Sequence, residues 1–439
     1  TQGSYPGARF LATDGYHHHL GLNTWGQPNR PASTESTGLD EAVIARRGVA
    51  REAVLAVLKD GGLDDGSPIG SIHFGNCAMH LFGQSNIRGQ VALLPLIREG
   101  RLTPQTPITN VEAGCATGTV AFHGAWMAVA SGHVELALAI GVEKTFIPSA
   151  PAKMLELFEG GLDQLRPETW KTLYRETAPL CGTTFEPRAD RITILDATAL
   201  NAAWHMKRYG TTPRQLAAVS SKNHANGAKN PNAQYQQVMS IDEVLADKTV
   251  LAPFTRAMCA PISDGASAVL VCSSEFLARH APASRRKVSV AATVLANGTR
   301  ERPDEPSVTK FAATKAFRLA QVAPGAVDVA ELHDATAFAE IAAMEDLGFC
   351  AEGSGGAYAE SGATSLEGER PINTSGGLES KGHPLAASGL AMIHEVTQQL
   401  RGECVGRQVP DCHVGLTHNA GGLIAFDEAM CAVTVLRAG

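Results

Sequence analysis

Four short stretches carry side chains able to do covalent or proton-transfer chemistry. One is Asn110-Val111-Glu112-Ala113-Gly114-Cys115-Ala116-Thr117-Gly118-Thr119, which delivers a single cysteine on a small-residue turn. The others are His333-Asp334, Gly382-His383-Pro384 and His418-Asn419-Ala420-Gly421-Gly422. A thiol becomes a strong nucleophile as a thiolate, and histidine is the usual partner that takes its proton. A turn that opens a helix places unpaired N–H groups and the positive end of the dipole beside the sulfur. That setting predicts a lowered thiol pKa and a cradle for an oxyanion once the sulfur is acylated. Gly114 and Gly118 are read as room for a substrate to approach the backbone. A buried structural cysteine fits the same spelling, and nothing in the sequence alone brings Cys115 and His383 together.

The elements that must position these residues follow from periodicity. Ile108 to Val111 reads as a strand, and the apolar run from Val120 to Ala130 as a buried helix behind Cys115. Helical spacing covers Asp40 to Lys59, Ile192 to Tyr209, Pro213 to Asn223, Thr309 to Ala320, Ala337 to Leu347 and Pro384 to Leu400. Strands are predicted at Ser71 to Asn76, Glu135 to Val142, Ala266 to Cys272, Val288 to Leu295 and Val327 to Leu332. Residues 354–369 read as a Gly/Ser loop, and Val414 to Thr417 and Leu423 to Phe426 as two strands flanking a glycine turn. Phe146 to Asp190 departs from the α/β pattern. Pro371-Ile372-Asn373-Thr374, followed by Gly376-Gly377 and an Ala-rich helix, echoes the strand, turn and helix around Cys115. The echo suggests a duplicated architecture.

Whole-chain properties narrow the class. The chain has 439 residues, 44% of them hydrophobic, and a net charge of −7. That is length enough for two packed units and no basic surface for nucleic acid. No apolar run is long enough to cross a bilayer, no secretory signal opens the sequence, and the C-terminus is not a peroxisomal address. Thr1 in place of Met leaves a removed leader open. Nine scattered cysteines without a CxxC pair argue against a disulfide framework or a zinc ribbon, and favour a reduced, cytoplasmic setting. His17-His18-His19 is read as an exposed loop, and no resident metal is expected.

Taken in order, these motifs resemble the thiolase superfamily, specifically the sterol-carrier-protein-type thiolases. The resemblance runs from about Gly48 to the C-terminus. It rests on Asn110 to Gly118, Lys222-Asn223-His224 with Asn230-Pro231 and Gln234-Tyr235, Cys259 to Ala266, Glu331 to Thr336, Asn373 to Gly389, and His418 to Gly422. The resemblance implies an α/β chain with the duplicated five-layer αβαβα fold. Residues 1–145, completed by about 250–280, would form the first half, 146–249 an inserted loop domain, and 281–439 the second half. It implies Cys115 as acyl-accepting nucleophile, with His383 activating it. His333 would stand where other thiolases carry an asparagine and serve a first oxyanion hole. The N–H of Cys115, with Gly421 or Gly422, would form the second. His418 and Asn419 become candidates for proton transfer or oxyanion binding, and His224, Asn230, Gly376 and Gly377 for substrate or CoA contacts. Coenzyme A is expected as co-substrate rather than a permanent cofactor. A homodimer is expected, with a small zinc-binding OB-fold subunit as a further partner.

One departure stands out. Thiolases use a second cysteine as acid/base, and the places that would carry it hold Ala335 and Asn419-Ala420. A Cys115, His333, His383 set resembles the arrangement of decarboxylating ketoacyl synthases. The expected function is therefore an acyl-CoA C-acyltransferase that cleaves or forms a specialised, branched or aromatic 3-oxoacyl-CoA. Two rivals are a C-acylating enzyme or retro-aldolase working with the zinc-binding partner, and a non-catalytic lipid- or CoA-binding subunit.

Overall fold

The structure is a computed structural model that describes residues 19–22, 38–146, 151–188, 191–280 and 287–439. His17 and His18, expected in a loop, lie outside these residues. His19 opens a strand, β1 (His19–Leu22), where the sequence suggests loop.

The first half runs α1 (Gly38–Asp60), β2 (Ser71–Gly75), α2 (Arg88–Arg98), β3 (Ile108–Val111), α3 (Thr117–Ala130) and β4 (Leu136–Glu143). Five helices follow before the chain returns to the sheet: α4 (Pro151–Glu159), α5 (Pro167–Thr177), α6 (Thr193–Tyr209), α7 (Pro213–Gly227) and α8 (Ile241–Ala246). A two-stranded ribbon, β5 (Thr249–Leu251) and β6 (Phe254–Thr255), leads into β7 (Gly265–Cys272) and α9 (Ser274–His280). The second half is β8 (Val288–Ala296), α10 (Val308–Ala320), β9 (Val329–Glu331), α11 (Ala337–Asp346), α12 (Gly355–Glu360), α13 (Gly377–Lys381), α14 (Leu385–Arg401), β10 (Val414–Ile424) and β11 (Asp427–Ala438).

The strands form one sheet in the order β3-β2-β4-β7-β1-β8-β11-β10-β9. Its two ends mirror each other. β3, β2 and β4 are parallel, β7 is antiparallel to β4, and β1 to β7. In the second half Ile372 bridges Ala330 in parallel, β9 pairs β10 in parallel, β11 is antiparallel to β10, and β8 to β11. Within the sheet, the described strands of the two halves pair at His19 with Ser289. The internal echo is therefore a topological repeat, with the second copy's edge strand reduced from β3 to a single bridge at Ile372.

Burial follows this plan. α3 and α14 share a middle core with both halves of the sheet, built from Phe122, Val129, Val269, Val290, Leu390 and Ile393. α1 and α2 cover the outer face of the first half, and α10 and α11 that of the second. Two helix layers outside and one between give five layers. Gly118 is what lets the middle helices meet, because a Cβ there would stand 3.2 Å from the backbone nitrogen of Leu390. It serves helix packing, not the substrate approach expected from the sequence. The helices after β4 have their own core of Leu162, Trp170, Tyr174, Phe185 and Leu200, which reaches Phe426. Tyr174 fastens it further by donating to the carbonyl of Ala425 at 2.6 Å.

Other expectations are corrected. Residues 354–369 contain α12, since Gly355 N–H donates to Glu345 Oε1 at 2.8 Å and starts a short helix. Asn419 to Gly422 is not a turn between strands but part of the continuous β10. No helix among the described residues is long and apolar enough to cross a membrane. All nine cysteines are free.

Candidate active site

Cys115 sits in a single tight turn, residues Gly114–Ala116, between β3 and α3. Gly114 has a φ of 54°, a conformation that costs a side-chain residue more than glycine. Thr117 ties the turn, accepting from Ala113 N–H at 2.8 Å and donating to the carbonyl of Gly114 at 2.7 Å. β10 lies directly against it. A Cβ on Gly421 would be 2.8 Å from the nitrogen of Cys115, and one on Gly114 would be 2.8 Å from the nitrogen of Gly422. The small residues of His418-Asn419-Ala420-Gly421-Gly422 thus let a strand reach the cysteine turn. They bring two segments of peptide N–H groups around the sulfur.

His333 follows β9 and His383 precedes α14. One ligating atom each from Cys115, His333 and His383 lie within 4.8 Å of one another. The two imidazoles meet edge to face with centroids 5.2 Å apart. His383 is held from both sides. Its backbone N–H donates to Ser263 Oγ at 2.9 Å, and its Nδ1 is 2.8 Å from Ser388 Oγ. Asp334 anchors the segment between the histidines by accepting from Leu378 N–H at 2.7 Å and Asn223 Nδ2 at 3.0 Å.

These bonds assign a tautomer to each ring. Ser388 spends its one hydroxyl proton on the carbonyl of Pro384, at 3.0 Å. With its proton placed there it accepts from His383, the arrangement in which Nδ1 of His383 carries the proton and Nε2 is bare. That Nε2 is buried with no hydrogen-bond partner among the described residues. His333 is the reverse. Thr119 Oγ1 donates to Asn419 Oδ1 at 2.9 Å, which turns the amide nitrogen of Asn419 toward Nδ1 of His333 at 3.1 Å. An amide nitrogen donates, so Nδ1 accepts and Nε2 of His333 bears hydrogen. One histidine offers a lone pair and the other a proton.

Electrostatics keep the set neutral. Burial pulls the His383 imidazole down to about 3 and His333 well below its ordinary value, with His383 adding to the shift of His333. Burial and the Glu143 carboxylate push the Cys115 thiol up to about 12. The expectation of a lowered thiol pKa is overturned, because loss of water and the nearby acid outweigh the peptide N–H groups. The resting pair is thiol and imidazole. The same three residues have the composition of a soft-metal site. However, His333 presents an N–H there, so binding an ion would require changing its tautomer.

A cavity of about 250 Å³ opens from Cys115. His333, His418, Ala335, Ala420, Gly421 and Gly422 line it near the sulfur. The two positions that could have carried a second thiol therefore face the cavity as methyl groups. His418 bonds Thr309 Oγ1 at 2.9 Å through Nε2 and is pulled by burial to about 4. Its Nδ1 has no partner among the described residues.

His224, Asn230, Gly376 and Gly377 do not line this cavity. His224 is buried against Tyr235 and the carbonyl of Ala257, and Asn230 donates to the carbonyl of Ser375 at 2.7 Å. Cβ atoms on Gly376 and Gly377 would run into Gly227 and Asp334. In the structure each of the four makes a packing or hydrogen-bonding contact within the fold. Sequence reasoning missed Ser388, Thr119 and the far wall, including Trp204, Phe338 and Glu428. Ser388 lies in the first turn of the helix after His383 and could have been found there. The wall is drawn from segments far apart in the chain and leaves no local signal.

Comparison with known proteins gives the same family for both halves. Residues 32–275 match the model "Thiolase, N-terminal domain", and residues 296–434 match "Thiolase C-terminal domain-like". An acetyl-CoA acetyltransferase of Methanothermobacter thermautotrophicus is 35% identical over 86% of this chain and 92% of its own. Sterol carrier protein 2 of Rattus norvegicus is 35% identical over 72% of this chain, but over only 56% of its own length. A benzoylsuccinyl-CoA thiolase subunit, BbsB, of Thauera aromatica is 30% identical over 85% of this chain and 89% of its own. Among solved structures, an Ltp2-ChsH2(DUF35) aldolase superposes with a TM-score of 0.71 at 19% identity, covering 99% of this chain and 98% of that one. This last likeness is one of fold.

Proposed function

The chain belongs to the thiolase family and is an acyltransferase, and from that premise we propose that it cleaves or forms a specialised 3-oxoacyl-CoA through an acyl-thioester on Cys115. The observation that carries this reading is the bare, buried Nε2 of His383 beside the thiol. As the sulfur attacks the 3-keto carbon, its proton passes to that nitrogen. The keto oxygen gains charge and takes hydrogen bonds from the N–H of Cys115 and a glycine N–H of β10. The bond between the second and third carbons then breaks. The shortened acyl group stays on sulfur, and the other fragment leaves as the enolate of an acyl-CoA. Its thioester oxygen is served by the N–H of His333, and the proton that His383 took from the thiol then passes to the enolate carbon by way of His333, which in this reading stands in for the missing second thiol. Coenzyme A then collects the acyl group from Cys115. Condensation is the same path reversed.

A specialised acyl group is favoured by Ala335 and Ala420, which withdraw the usual acid/base thiol, and by the name of the Thauera relative. The likeness to an aldolase named for Ltp2 together with ChsH2(DUF35) supports a DUF35-type partner subunit, which would be the small zinc-binding OB-fold protein expected from the sequence. A homodimer across the first half is part of the proposal, since β3 is the open edge of the sheet beside Cys115. Light scattering of active samples should give at least twice 46.1 kDa. A 46.1 kDa species that turns over alone would remove the dimer. The reaction itself is tested by incubating the protein with a 3-oxoacyl-CoA and CoA. Two shorter acyl-CoAs should form, and Cys115→Ala should form none. Cleavage yielding an aldehyde or free ketone would favour the aldolase reading.

A further inference from the structure

The cavity at Cys115 has an apolar part of its wall, formed by Trp204, Phe338, Leu423 and Phe426. At about 250 Å³ it has room for an acyl chain or a ring. Six carboxylates border it against two cations, Arg300 and Lys310. Five of the six are occupied. Glu345 accepts from His205 and two backbone N–H groups, and Asp346 from Ser307. Asp304 pairs Arg302, Glu305 accepts from Glu301 and Arg302 N–H groups, and Glu352 from Tyr209. The sixth, Glu428, has a buried Oε2 that no donor among the described residues reaches. A buried carboxyl oxygen without a donor is costly unless something else fills that place.

Strand register relates it to the segment that packs on the Cys115 turn. Glu428 lies opposite Leu423 in the β10–β11 pair, on the same face as Gly421, which packs on the Cys115 turn. Two residues of strand separate Gly421 from Leu423, or about 7 Å. Burial, joined by Asp427, pushes the Glu428 carboxyl up to about 7 against the pull of Arg300. Near neutral pH the group can therefore both donate and accept. A hydroxyl answers either state. A carboxylate would meet an acid-rich wall, and an alkyl chain would leave Oε2 unpartnered.

We propose that Glu428 is a specificity-determining residue whose carboxyl group, on the cavity lining and with one oxygen lacking a donor among the described residues, hydrogen-bonds a hydroxyl on the acyl part of the substrate away from the reacting end. This rests on the reading of Cys115 as the acyl-accepting group. It selects hydroxylated acyl-CoAs over unsubstituted and carboxylated ones.

Binding to Cys115→Ala protein tests this without turnover, using hexanoyl-CoA, ω-hydroxyhexanoyl-CoA and adipoyl-CoA in calorimetry. The hydroxylated ligand should bind about ten- to hundredfold tighter than hexanoyl-CoA, and adipoyl-CoA more weakly than either. Adding Glu428→Leu should bring the hydroxyl preference to near unity. Glu428→Gln, which keeps size and a donor, should retain most of it and relax the discrimination against adipoyl-CoA. An unchanged hydroxyl ratio in both double variants would overturn the proposal. So would a preference of the Cys115→Ala protein for hexanoyl-CoA, or a change in affinity for CoA itself of the same size as for all three ligands. Mass analysis of Cys115 in the otherwise native chain with the same thioesters is the separate arm. Absence of any adduct there would remove the acyl-transfer reading while the binding ratios still report on Glu428.

Discussion

The amide nitrogen of Asn419 lies 3.1 Å from Nδ1 of His333, and it can only donate, so His333 must present its proton at Nε2. The neighbouring His383, tied to Ser388, presents a lone pair. Two buried histidines of opposite tautomer beside one thiol make a base and an acid without any change in net charge. Reversing the polarity of Asn419 tests the assignment. Asn419→Asp offers Nδ1 an acceptor, which moves the proton off Nε2. Carbon–carbon cleavage should fall by about 10²-fold or more, whereas Asn419→Gln, which keeps the donor, should lose far less.

The role of His333 as proton carrier predicts a separation of steps. His333→Ala should lower steady-state cleavage by about 10²–10⁴-fold while leaving the burst of Cys115 acylation by a simple acyl-CoA largely intact. His333→Asn keeps a donor and cannot shuttle a proton. Near-native cleavage in His333→Asn would leave His333 as oxyanion donor only.

The thiol's environment predicts its pH dependence. Burial and Glu143 raise the Cys115 pKa to about 12, so the thiolate fraction is small at neutral pH and grows as pH rises. Alkylation by iodoacetamide should therefore climb about tenfold per pH unit between roughly pH 6 and 9. A rate that is flat over that interval would mean a preformed thiolate–imidazolium pair. Conversely, the low value of His383, about 3, means that acylation should not lose its base until the solution is strongly acidic.

Gly421 is tested by volume. A Cβ there would press on the nitrogens of both Cys115 and Ala116 and on the carbonyl of Ala113, all backbone atoms. Gly421→Ala should displace the nucleophile turn, abolish acylation and cost about 1–3 kcal/mol of stability, read as a lower Tm. The same change at Gly325, where a Cβ meets nothing within 4 Å and φ is not positive, should leave activity unaltered.

Much of this site is legible in the sequence because its parts are local. The turn at Cys115 follows a strand and opens an apolar helix, and Gly382-His383-Pro384 stands at a helix entry. What is not legible depends on approach between distant segments. Asn419-Ala420-Gly421-Gly422 spells a turn, yet it is strand, because its small residues are needed where β10 touches the cysteine turn. Reading a turn there also hides β11, Asp427–Ala438, although Val433 to Leu436 has the character of a buried strand. Thr119 and Asn419, 300 residues apart, meet only in the fold, and with them the tautomer of His333 is set. The pKa of Cys115 is equally out of reach, since a helix-end argument sees the peptide groups but not Glu143 on β4.

In the proposed reaction Cys115 carries the acyl group. Intact-mass and peptide-mass analysis after brief incubation with an acyl-CoA tests it most directly. An adduct of the acyl mass is expected on the peptide containing Cys115, removed by added CoA and absent in Cys115→Ala. Full carbon–carbon cleavage with no adduct, or cleavage retained in Cys115→Ala, would contradict it.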